Sequence, residues 1–466
     1  TDRITLMNNE FKNKKITVMG LGLFGGGVGV TKFLVRHGAC VTLTDLRNAS
    51  ELAPSIKQLE GLPVSYKLGG HYEEDFVNAD MIIVNPAVSK DSKFLQIARN
   101  NNVSLNTEMN IFFKLCPAQI IGITGSNGKS TTTTIIGQII QQTQRKTWTG
   151  GNIGKSLLIH LKEIKPSDIV VLELSSFQLE ELNNIKKSPH ISVLTNISPN
   201  HLDRHPTMDD YIKAKKSIIL HQGFEDYAIL NYDDHELRRW ERECKGNICW
   251  YSTKHALNNG VFIKDDNIVL LINGNKALIP NISRIKIPGD HNLQNILAAS
   301  CASYLAGANK SHIKNIITNF TGLEHRLEFV SEVNGVKYYN DSKATTPEST
   351  IAAIKAFNAP VILIAGGYDK GSCFEEFAET CAKYTKAVVL IGKTAEKIRG
   401  LILTKKGVQK APSIIKSNTF KEAFEQANTY AEKGDVVLLS PACASYDMFI
   451  NYEERGRQFK EMVNAL

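Results

Sequence analysis

The stretch IIGITGSNGKSTTTTIIGQII, residues 120–140, decides the fold of the middle of the chain. It predicts an apolar strand, a glycine-rich loop (GSNGKST) and an apolar helix rich in β-branched residues. In such a loop the backbone N–H groups and the helix N-terminus cradle a polyphosphate, while Lys129 neutralises it and Ser130 can hold Mg²⁺. Ile123 replaces the first glycine of the usual phosphate-loop pattern. The strand–loop–helix context still predicts that a nucleoside triphosphate binds here.

Three apolar strands with polar ends follow the loop, in DIVVLELSSFQLE (168–180), ISVLTNISPNHLDRH (191–205) and YAILNYDD (227–234). Ligands gather at the carboxyl ends of strands in open α/β sheets. Glu173 lies inside a buried run, where a carboxylate needs a metal or a buried Lys or Arg as its partner. His201 follows its strand, and as a lone histidine it fits a structural role or a ligand role.

Lys215 falls on the apolar stripe of a predicted helix in YIKAKKSIIL. It shares helical spacing with Tyr211, Ala214, Ile218 and Ile219. A lysine that faces inward either pairs with a carboxylate or loses its charge. The alternative is a lysine at the edge of the stripe whose ammonium reaches solvent.

The N-terminal part predicts a βαβ unit. KITVMGLG (15–22) leads through Gly20-x-Gly22-x-x-Gly25 into a helix that Gly38 closes, and CVTLTD ends at Asp45. A glycine turn at a helix N-terminus lets backbone N–H groups approach a diphosphate. The motif does not say which nucleotide binds, and a purely structural tight turn remains the alternative. A further strand is predicted over residues 81–89.

The C-terminal part repeats the strand–loop–helix rhythm in VKYYNDSKATTPEST, PVILIAGGYDKG, AVVLIGKTAEKI and DVVLLSPACASYDMF, with Thr346 as helix N-cap and Pro347 at the first helical position. Residues 250–287 predict a β-hairpin insertion in the central part. The fold class is therefore α/β with three domains: an N-terminal Rossmann-like domain (1–107), a central P-loop ATPase-like domain with a β insertion (108–322) and a C-terminal Rossmann-like domain (323–466).

Composition excludes several classes of protein. The 466 residues are 42% hydrophobic and 22% charged, which excludes a disordered chain. The 55 Lys and Arg against 47 Asp and Glu give a net charge of +8, which suits anionic small molecules better than nucleic acid. No apolar run is long enough to span a membrane. Residues 1–15 are polar and the 8 cysteines are scattered, so we expect a protein of the reducing cytoplasm.

Several motifs occur in one order: ITGSNGKST, GGNIG, LELSSFQLE, the His201 loop, YIKAK, GDHNLQN, HRLE, NDSKAT and LLSPACASYDMF. Together they resemble the Mur ligase family over nearly the whole chain. LELSSFQLE and the last motif, with its later Arg-Gly, resemble the members that add D-glutamate rather than L-alanine, a diamino acid or a dipeptide. The resemblance implies an ATP-dependent amide ligase of peptidoglycan precursor synthesis, which joins D-glutamate to UDP-N-acetylmuramoyl-L-alanine through an acyl phosphate and a tetrahedral intermediate.

The resemblance also implies roles for individual residues. The expected catalytic residues are Lys129, Glu173, His201, Lys215 and Lys343. The expected ATP-binding residues are Gly125, Ser126, Asn127, Gly128, Lys129, Ser130, Thr131, Asn292, Asn295, Arg326 and Asp341. The expected substrate-binding residues are Gly22, Asp45, Arg47, Asn152, Ser175, Thr345, Lys370, Ser445 and Phe449. Two Mg²⁺ sites are implied, one with Ser130 and Glu173 and one with His201 and a carbamylated Lys215.

Within these roles, Asp45 and Arg47 are expected near the uracil, and Lys370 is expected to pair with a carboxylate of D-glutamate. The backbone at Ala444 and Ser445 is expected to enter a helix and hold another carboxylate. The partners are then the two substrates alone, with no nucleic acid and no membrane, and the protein is expected to be a monomer.

The chain departs from the family at Phe24, at Asn85-Pro86-Ala87, and at Thr346 and Tyr446 near the amino-acid subsite. The alternatives are a sister Mur ligase that adds another amino acid and a ligase like folylpolyglutamate synthase, although the latter lacks the N-terminal βαβ domain. A nicotinamide-dependent dehydrogenase would leave Lys129, Glu173 and Lys215 without a role. A nucleotide-binding module without activity is the remaining alternative.

Overall fold

A computed structural model describes residues 10–466 apart from 23, 24, 87, 154, 155, 199–204, 206, 281, 370, 371 and 406–410. The chain divides into two compact units. The first comprises Thr1–Pro280 with Gln294–Lys314, and the second Asn281–Leu293 with Asn315–Leu466. Among the described residues, no helix has the length and apolar character needed to cross a membrane.

The N-terminal sheet of the first unit has five parallel strands in the order β3-β2-β1-β4-β5. Its strands are β1 (Lys15–Met19), β2 (Cys40–Asp45), β3 (Val64–Leu68), β4 (Met81–Val84) and β5 (Ser104–Asn106), and its helices are α1 (Gly26–Arg36), α2 (Ala53–Lys57), α3 (Glu74–Val77) and α4 (Lys93–Asn100). The predicted βαβ unit is confirmed. The strand predicted over 81–89 ends earlier, at Val84, because Pro86 has no N–H to donate to a ladder.

The central sheet has nine strands in the order β14-β13-β12-β11-β10-β9-β6-β8-β7. Its strands are β6 (Gln119–Thr124), β7 (Thr147–Gly151), β8 (Ile169–Glu173), β9 (Ile191–Leu194), β10 (Tyr227–Asn231), β11 (Asn247–Ser252), β12 (Gly260–Lys264), β13 (Asn267–Ile272) and β14 (Asn275–Pro280). Its helices are α5 (Glu108–Leu115), α6 (Lys129–Gln141), α7 (Ser176–Asn184), α8 (Met208–Leu220), α9 (His235–Arg239), α10 (Asp290–Leu305) and α11 (Lys310–Asn319).

The predicted β-hairpin is instead a three-stranded antiparallel meander, β12 to β14. It extends the central sheet, because β12 pairs in parallel with β11. Ile268, Leu270 and Ile272 alternate along β13 and are buried. Val269, on the opposite face, is also buried, so both faces of β13 are covered.

The sheet of the second unit has six strands in the order β15-β16-β20-β17-β18-β19. Its strands are β15 (Glu328–Val333), β16 (Val336–Asn340), β17 (Val361–Gly366), β18 (Thr385–Ile391), β19 (Ser413–Lys416) and β20 (Val436–Leu439), and its helices are α12 (Pro347–Lys355), α13 (Glu375–Tyr384), α14 (Ala395–Leu403), α15 (Phe420–Tyr430) and α16 (Tyr452–Asn464). β15 is antiparallel to β16, and the other pairs are parallel. Thr346 caps α12 and Pro347 begins it, as predicted.

The apolar core explains why three sheets make two units. A single cluster joins the N-terminal and central sheets and includes Phe33, Leu43, Ile111, Leu172 and Trp240. The second unit has its own clusters on the two faces of its sheet. The predicted boundaries at 107 and 322 stay a prediction.

Candidate active site

The loop between β6 and α6 has the backbone of a phosphate cradle. Gly125 and Gly128 have φ of +146° and +83°, which only glycine adopts without strain. The chain after β9 holds the loop in place, because the N–H groups of Ser126 and Asn127 donate to the carbonyl and side-chain oxygens of Asn196, at 2.9 Å each. The loop is therefore fixed before any phosphate binds.

Lys129 begins α6, and its ammonium donates to the carbonyls of Gly125 and Ser126, at 2.9 Å each. The cation thus lies over the loop. Ser130 is half-buried and Thr131 is buried, both in the first turn. The first N–H groups of a helix have no acceptor within it, so this turn offers donors to an anion.

Asn295, predicted to bind ATP, lies buried against Gly128, while Asn292 lies in the second unit and donates to the carbonyl of Pro288 at 2.6 Å. A Cβ on Gly128 would collide with the Asn295 amide, whereas Gly61, with a similar φ of +79°, has open space around it. We expect Gly61→Ala to lose about 1–2 kcal/mol of stability, the cost of a left-handed alanine, and Gly128→Ala to lose more because the Asn295 amide must also shift.

Only Gly128→Ala should also weaken ATP binding, by about tenfold or more, a change of about 1.4 kcal/mol. Calorimetric titration of both variants with ATP measures this difference. Equal ATP affinity of the two variants would contradict a tight fit between loop and helix α10.

Lys215 is buried on α8, as the apolar stripe predicts, with 2% of its surface exposed. Its ammonium donates to the hydroxyl of Thr124 at 3.2 Å and lies 4.8 Å from the centre of the Tyr211 ring. Burial lowers the pKa of Lys215 well below its ordinary value; the positive charge of Lys129 acts in the same direction, and Glu173 opposes it. The structure thus brings these three predicted catalytic side chains together.

Glu173 ends β8 and is 2% exposed. One carboxylate oxygen accepts from the side-chain amide of Asn152 at 3.0 Å, and the Asn152 N–H donates to the Glu173 carbonyl at 2.8 Å. The other carboxylate oxygen is buried without a hydrogen-bond partner among the described residues. A buried, half-satisfied carboxylate next to the phosphate loop fits a Mg²⁺ ligand.

The described residues contain no group of three His, Cys, Asp or Glu side chains arranged to bind a metal. His201 and Lys370, two of the predicted site residues, lie outside the described residues. Of the predicted metal ligands that the structure describes, Glu173 is therefore the one with a carboxylate.

His205 is a buried neighbour of the site that the sequence did not indicate. Its Nε2 lies 2.9 Å from the hydroxyl of Ser176, and its ring stacks on Phe177. Burial lowers the pKa of His205, with Glu180 opposing this effect. Ser175, predicted to bind substrate, caps α7 and forms a capping box with Gln178. No local pattern pairs residues 29 positions apart, so only the fold reveals His205.

The N-terminal glycine turn is closed by Asp45. One oxygen of its carboxylate accepts from the N–H groups of Leu21 and Gly22, at 3.0 and 3.2 Å, and the other from the N–H of Arg47 at 3.0 Å. Asp45 is buried, whereas the Arg47 side chain is 43% exposed. Asp45 therefore shapes the turn, and Arg47 is the accessible group of the predicted pair.

A small cavity of about 60 Å³ lies between this turn and the Glu173 region. Its lining includes Gly26 at the start of α1, Gly151, Gln178 and the paired side chains of Glu108 and Ser156. Burial raises the pKa of Glu108 to about 7, and the hydrogen bond from Ser156 opposes the shift. Sequence reasoning missed this pair, because its two residues lie 48 positions apart.

Asp341, at the end of β16, is buried with both oxygens occupied. They accept from the Leu327 N–H at 3.0 Å and from the Ser440 hydroxyl at 2.7 Å. Burial raises the pKa of Asp341 to about 7, and these hydrogen bonds and the charge of Arg326 oppose the shift. Arg326 and Asp341, two of the predicted nucleotide ligands in the second unit, are thus electrostatic neighbours.

The raised pKa of Asp341 predicts a pH dependence of stability. The folded state holds the proton more tightly than the unfolded state, so Asp341 stabilises the fold fully below pH 4 and loses this contribution as pH rises to about 7. Between about pH 4 and 7 the free energy of unfolding should therefore fall. We expect Asp341→Asn to remove up to about 4 kcal/mol of this fall. Urea denaturation between pH 4 and 8 measures it, and an unchanged pH slope in the variant would contradict the assignment.

One prediction for the amino-acid subsite is corrected. The segment after Ser445 does not enter a helix: residues 445–450 form turns, and α16 begins only at Tyr452, where the Asn451 side chain caps it. Ser445 is buried. Phe449 lies partly buried against Phe420, with ring centres 5.0 Å apart, and its substrate role stays a prediction.

Tyr452 is the aromatic residue beside the predicted catalytic lysine of this unit. The Lys343 ammonium is 5.8 Å from the centre of its ring, and the ring also contacts His325 edge-on. Lys343 is exposed, and the Thr345 N–H donates to its carbonyl at 2.9 Å. The sequence has several aromatic residues just before and at the start of α16. Which of them lies next to Lys343 is decided by where this helix begins.

Arg455, the arginine of the later Arg-Gly motif, has a structural role that the sequence did not indicate. It is 1% exposed and donates to the Ser342 carbonyl at 2.8 Å and the Cys443 carbonyl at 3.3 Å. Burial lowers its pKa to about 10. It therefore fastens the chain after β16 to the chain after β20.

Comparison with known families decides the assignment. The description "Mur ligase MurD-like, N-terminal domain" matches residues 14–106, "Mur ligase middle domain" matches 123–303, and "Mur ligase, glutamate ligase domain" matches 325–443. The chain belongs to the Mur ligase family. The resemblance and the three-domain α/β fold class predicted from the sequence are thereby confirmed.

Relatives of this Mur ligase match over almost their whole length. A UDP-N-acetylmuramoylalanine–D-glutamate ligase of Acetivibrio thermocellus is 42% identical, over 98% of this chain and 97% of the relative. The enzyme of the same name from Clostridium kluyveri is 43% identical, over 98% and 97%. The solved structure of UDP-N-acetylmuramate-alanine ligase MurC from Thermotoga maritima has a TM-score of 0.59 at 17% identity, covering 97% of this chain and 100% of that one, which shows a shared fold.

Proposed function

We propose that this Mur ligase uses ATP and Mg²⁺ to join D-glutamate to UDP-N-acetylmuramoyl-L-alanine in cytoplasmic peptidoglycan precursor synthesis. The observation that carries the proposal is the meeting of Lys129, Glu173 and Lys215 around a rigid phosphate loop. The full-length relatives named for this reaction support the choice of substrates. We propose further that the enzyme acts as a monomer.

The first step requires two anions to approach each other. The carboxylate of the sugar nucleotide attacks the γ-phosphate of ATP, the bond between the β- and γ-phosphates breaks, and an acyl phosphate and ADP result. Lys129 would exchange the loop carbonyls for the β- and γ-phosphate oxygens and neutralise them. Catalysis of this kind rests on positioning and on compensating charge.

Ser130 and Glu173 would hold one Mg²⁺, and His201 and Lys215 a second. The unpartnered oxygen of Glu173 fits the first assignment. When bound, the metal ions neutralise phosphate charge. For Lys215 we propose a carbamate: its depressed pKa leaves a neutral amine that attacks CO₂, forming an N–C bond and releasing one proton, which turns a cation into an anionic oxygen ligand.

The second step forms the amide. The amine of D-glutamate attacks the acyl carbon, and the tetrahedral intermediate collapses with release of phosphate. We propose that Lys343, Thr345, Lys370, Ser445 and Phe449 bind the amino acid, with Tyr452 as a further aromatic neighbour of Lys343. Asn292, Asn295, Arg326 and Asp341 would bind ATP. Gly22, Arg47 and Asn152 would bind the sugar nucleotide, with Asp45 and Ser175 shaping its site.

An omission assay tests the reaction class. ADP should appear only with ATP, Mg²⁺, UDP-N-acetylmuramoyl-L-alanine and D-glutamate together, and each omission should reduce it to background. Equal ADP release without the sugar nucleotide would contradict the proposal.

A further inference from the structure

The segment Glu324–Glu328 has an unusual backbone. His325 and Leu327 have φ of +62° and +42°, in the left-handed region that residues with a side chain rarely adopt. Arg326 lies between them. Strained residues of this kind persist only where the surroundings hold them, and they concentrate at functional sites.

The carboxylate of Glu328 is the centre of the contacts that hold this segment. One oxygen accepts from the His325 N–H at 3.0 Å and from the Asn340 side-chain amide at 3.0 Å. The other accepts from the ammonium of Lys460 on α16 at 2.6 Å. Lys460 also reaches Glu324 at 3.2 Å. Glu328 thus clamps the start of the segment to its end.

The other contacts of the segment join it to the end of β16. Asn340 lies 2.9 Å from Nδ1 of His325, and the Leu327 N–H donates to Asp341. The Lys343 N–H donates to the His325 carbonyl at 2.9 Å. The backbone on both sides of Arg326 is therefore fixed to the strand end that carries Asp341 and Lys343.

We propose that Glu328, neutralised by Lys460, is a positioning residue that holds the His325–Leu327 backbone so that Arg326 is presented to the nucleotide. This rests on the proposed function, in which Arg326 binds ATP. Lys460 is needed because the Glu328 carboxylate is nearly buried. Without a neighbouring cation, its negative charge would destabilise the folded segment. Neither residue has to touch substrate.

The test compares variants of the full-length enzyme in steady-state kinetics. Glu328→Gln and Lys460→Met should each raise KM for ATP about tenfold, with KM for D-glutamate changed less than about twofold. Lys460→Arg, which keeps the charge, should restore KM for ATP to within about threefold of wild type. An unchanged KM for ATP in both Glu328→Gln and Lys460→Met would overturn the proposal.

Lys386→Met is the matched control. Lys386 bridges Asp435 and Glu432 at 2.7 and 2.8 Å in the same unit, and its side chain is 27% exposed against 28% for Lys460. We expect its thermal stability to fall about as far as that of Lys460→Met, with KM for ATP unchanged. An equal rise of KM in Lys386→Met would assign the effect to general loosening and reject the clamp.

A double-mutant cycle with Arg326→Ala separates this proposal from the proposed function. If Arg326→Ala alone leaves KM for ATP unchanged, the nucleotide role of Arg326 fails. If it raises KM, Glu328→Gln should add almost nothing in that background, because the residue it positions is gone. Full additivity would overturn the positioning role while leaving the nucleotide role intact.

Discussion

Lys215→Ala should lower the rate of ligation by about 10³-fold or more, which corresponds to about 4 kcal/mol of lost transition-state stabilisation. The wild-type side chain is buried and its amine has a depressed pKa, so it is suited to carry a carbamate at neutral pH. A short carboxylic acid such as acetate should restore part of the activity, because its carboxylate can occupy the space of the missing group. Phosphate release with and without acetate measures both effects.

Lys213→Ala on the same helix is the control, since Lys213 is exposed. It should have wild-type activity and show no response to acetate. Activity of Lys215→Ala within about threefold of wild type would remove this lysine from the mechanism. Loss of activity without any rescue would leave a charge role for Lys215 but would count against the carbamate.

Glu173→Gln should lower activity by about 10²–10³-fold and raise the Mg²⁺ concentration needed for half-maximal rate. The substitution keeps an acceptor for Asn152 but removes the negative charge at the oxygen that has no hydrogen-bond partner among the described residues. Fold stability should change little, because the side chain keeps its size. A Mg²⁺ titration of the steady-state rate, with urea denaturation in parallel, measures both properties.

Asp168→Asn provides the matched control. Asp168 is a buried carboxylate that directly precedes the first residue of β8, whereas Glu173 is its last residue. It accepts from the Trp148 indole at 2.9 Å and from the Lys165 N–H at 3.0 Å, so its role is structural. This variant should lose stability and keep the wild-type Mg²⁺ dependence. A normal Mg²⁺ requirement in Glu173→Gln would exclude Glu173 as a metal ligand.

Local patterns in the sequence were sufficient to predict features that lie within one helix, strand or loop. The stripe that contains Lys215 became a buried helix face, because side chains at helical spacing share one side. The phosphate loop was equally predictable, since its glycines, lysine and flanking strand are contiguous. Thr346 and Pro347 predicted the start of α12 for the same reason.

Features that depend on distant contacts were wrong or missed. One local feature was also wrong: the helix expected directly after Ser445 begins only at Tyr452, where the Asn451 side chain caps it. The contact by which Asp45 closes the glycine turn was missed, because its carboxylate accepts from N–H groups more than twenty residues away. Glu328 belongs to the HRLE motif, but only the approach of Lys460 from α16 identifies it as a clamp.

The central claim is tested most directly by the identity of the amino acid that the enzyme adds. The purified protein is incubated with ATP, Mg²⁺ and UDP-N-acetylmuramoyl-L-alanine and with D-glutamate, L-glutamate, L-alanine or a diamino acid in turn, and the product mass and phosphate release are recorded. We predict one phosphate per amide formed, with D-glutamate giving a rate at least about 10²-fold above the others. A comparable rate with L-alanine or a diamino acid would contradict the account and would assign the chain to a sister reaction of the family.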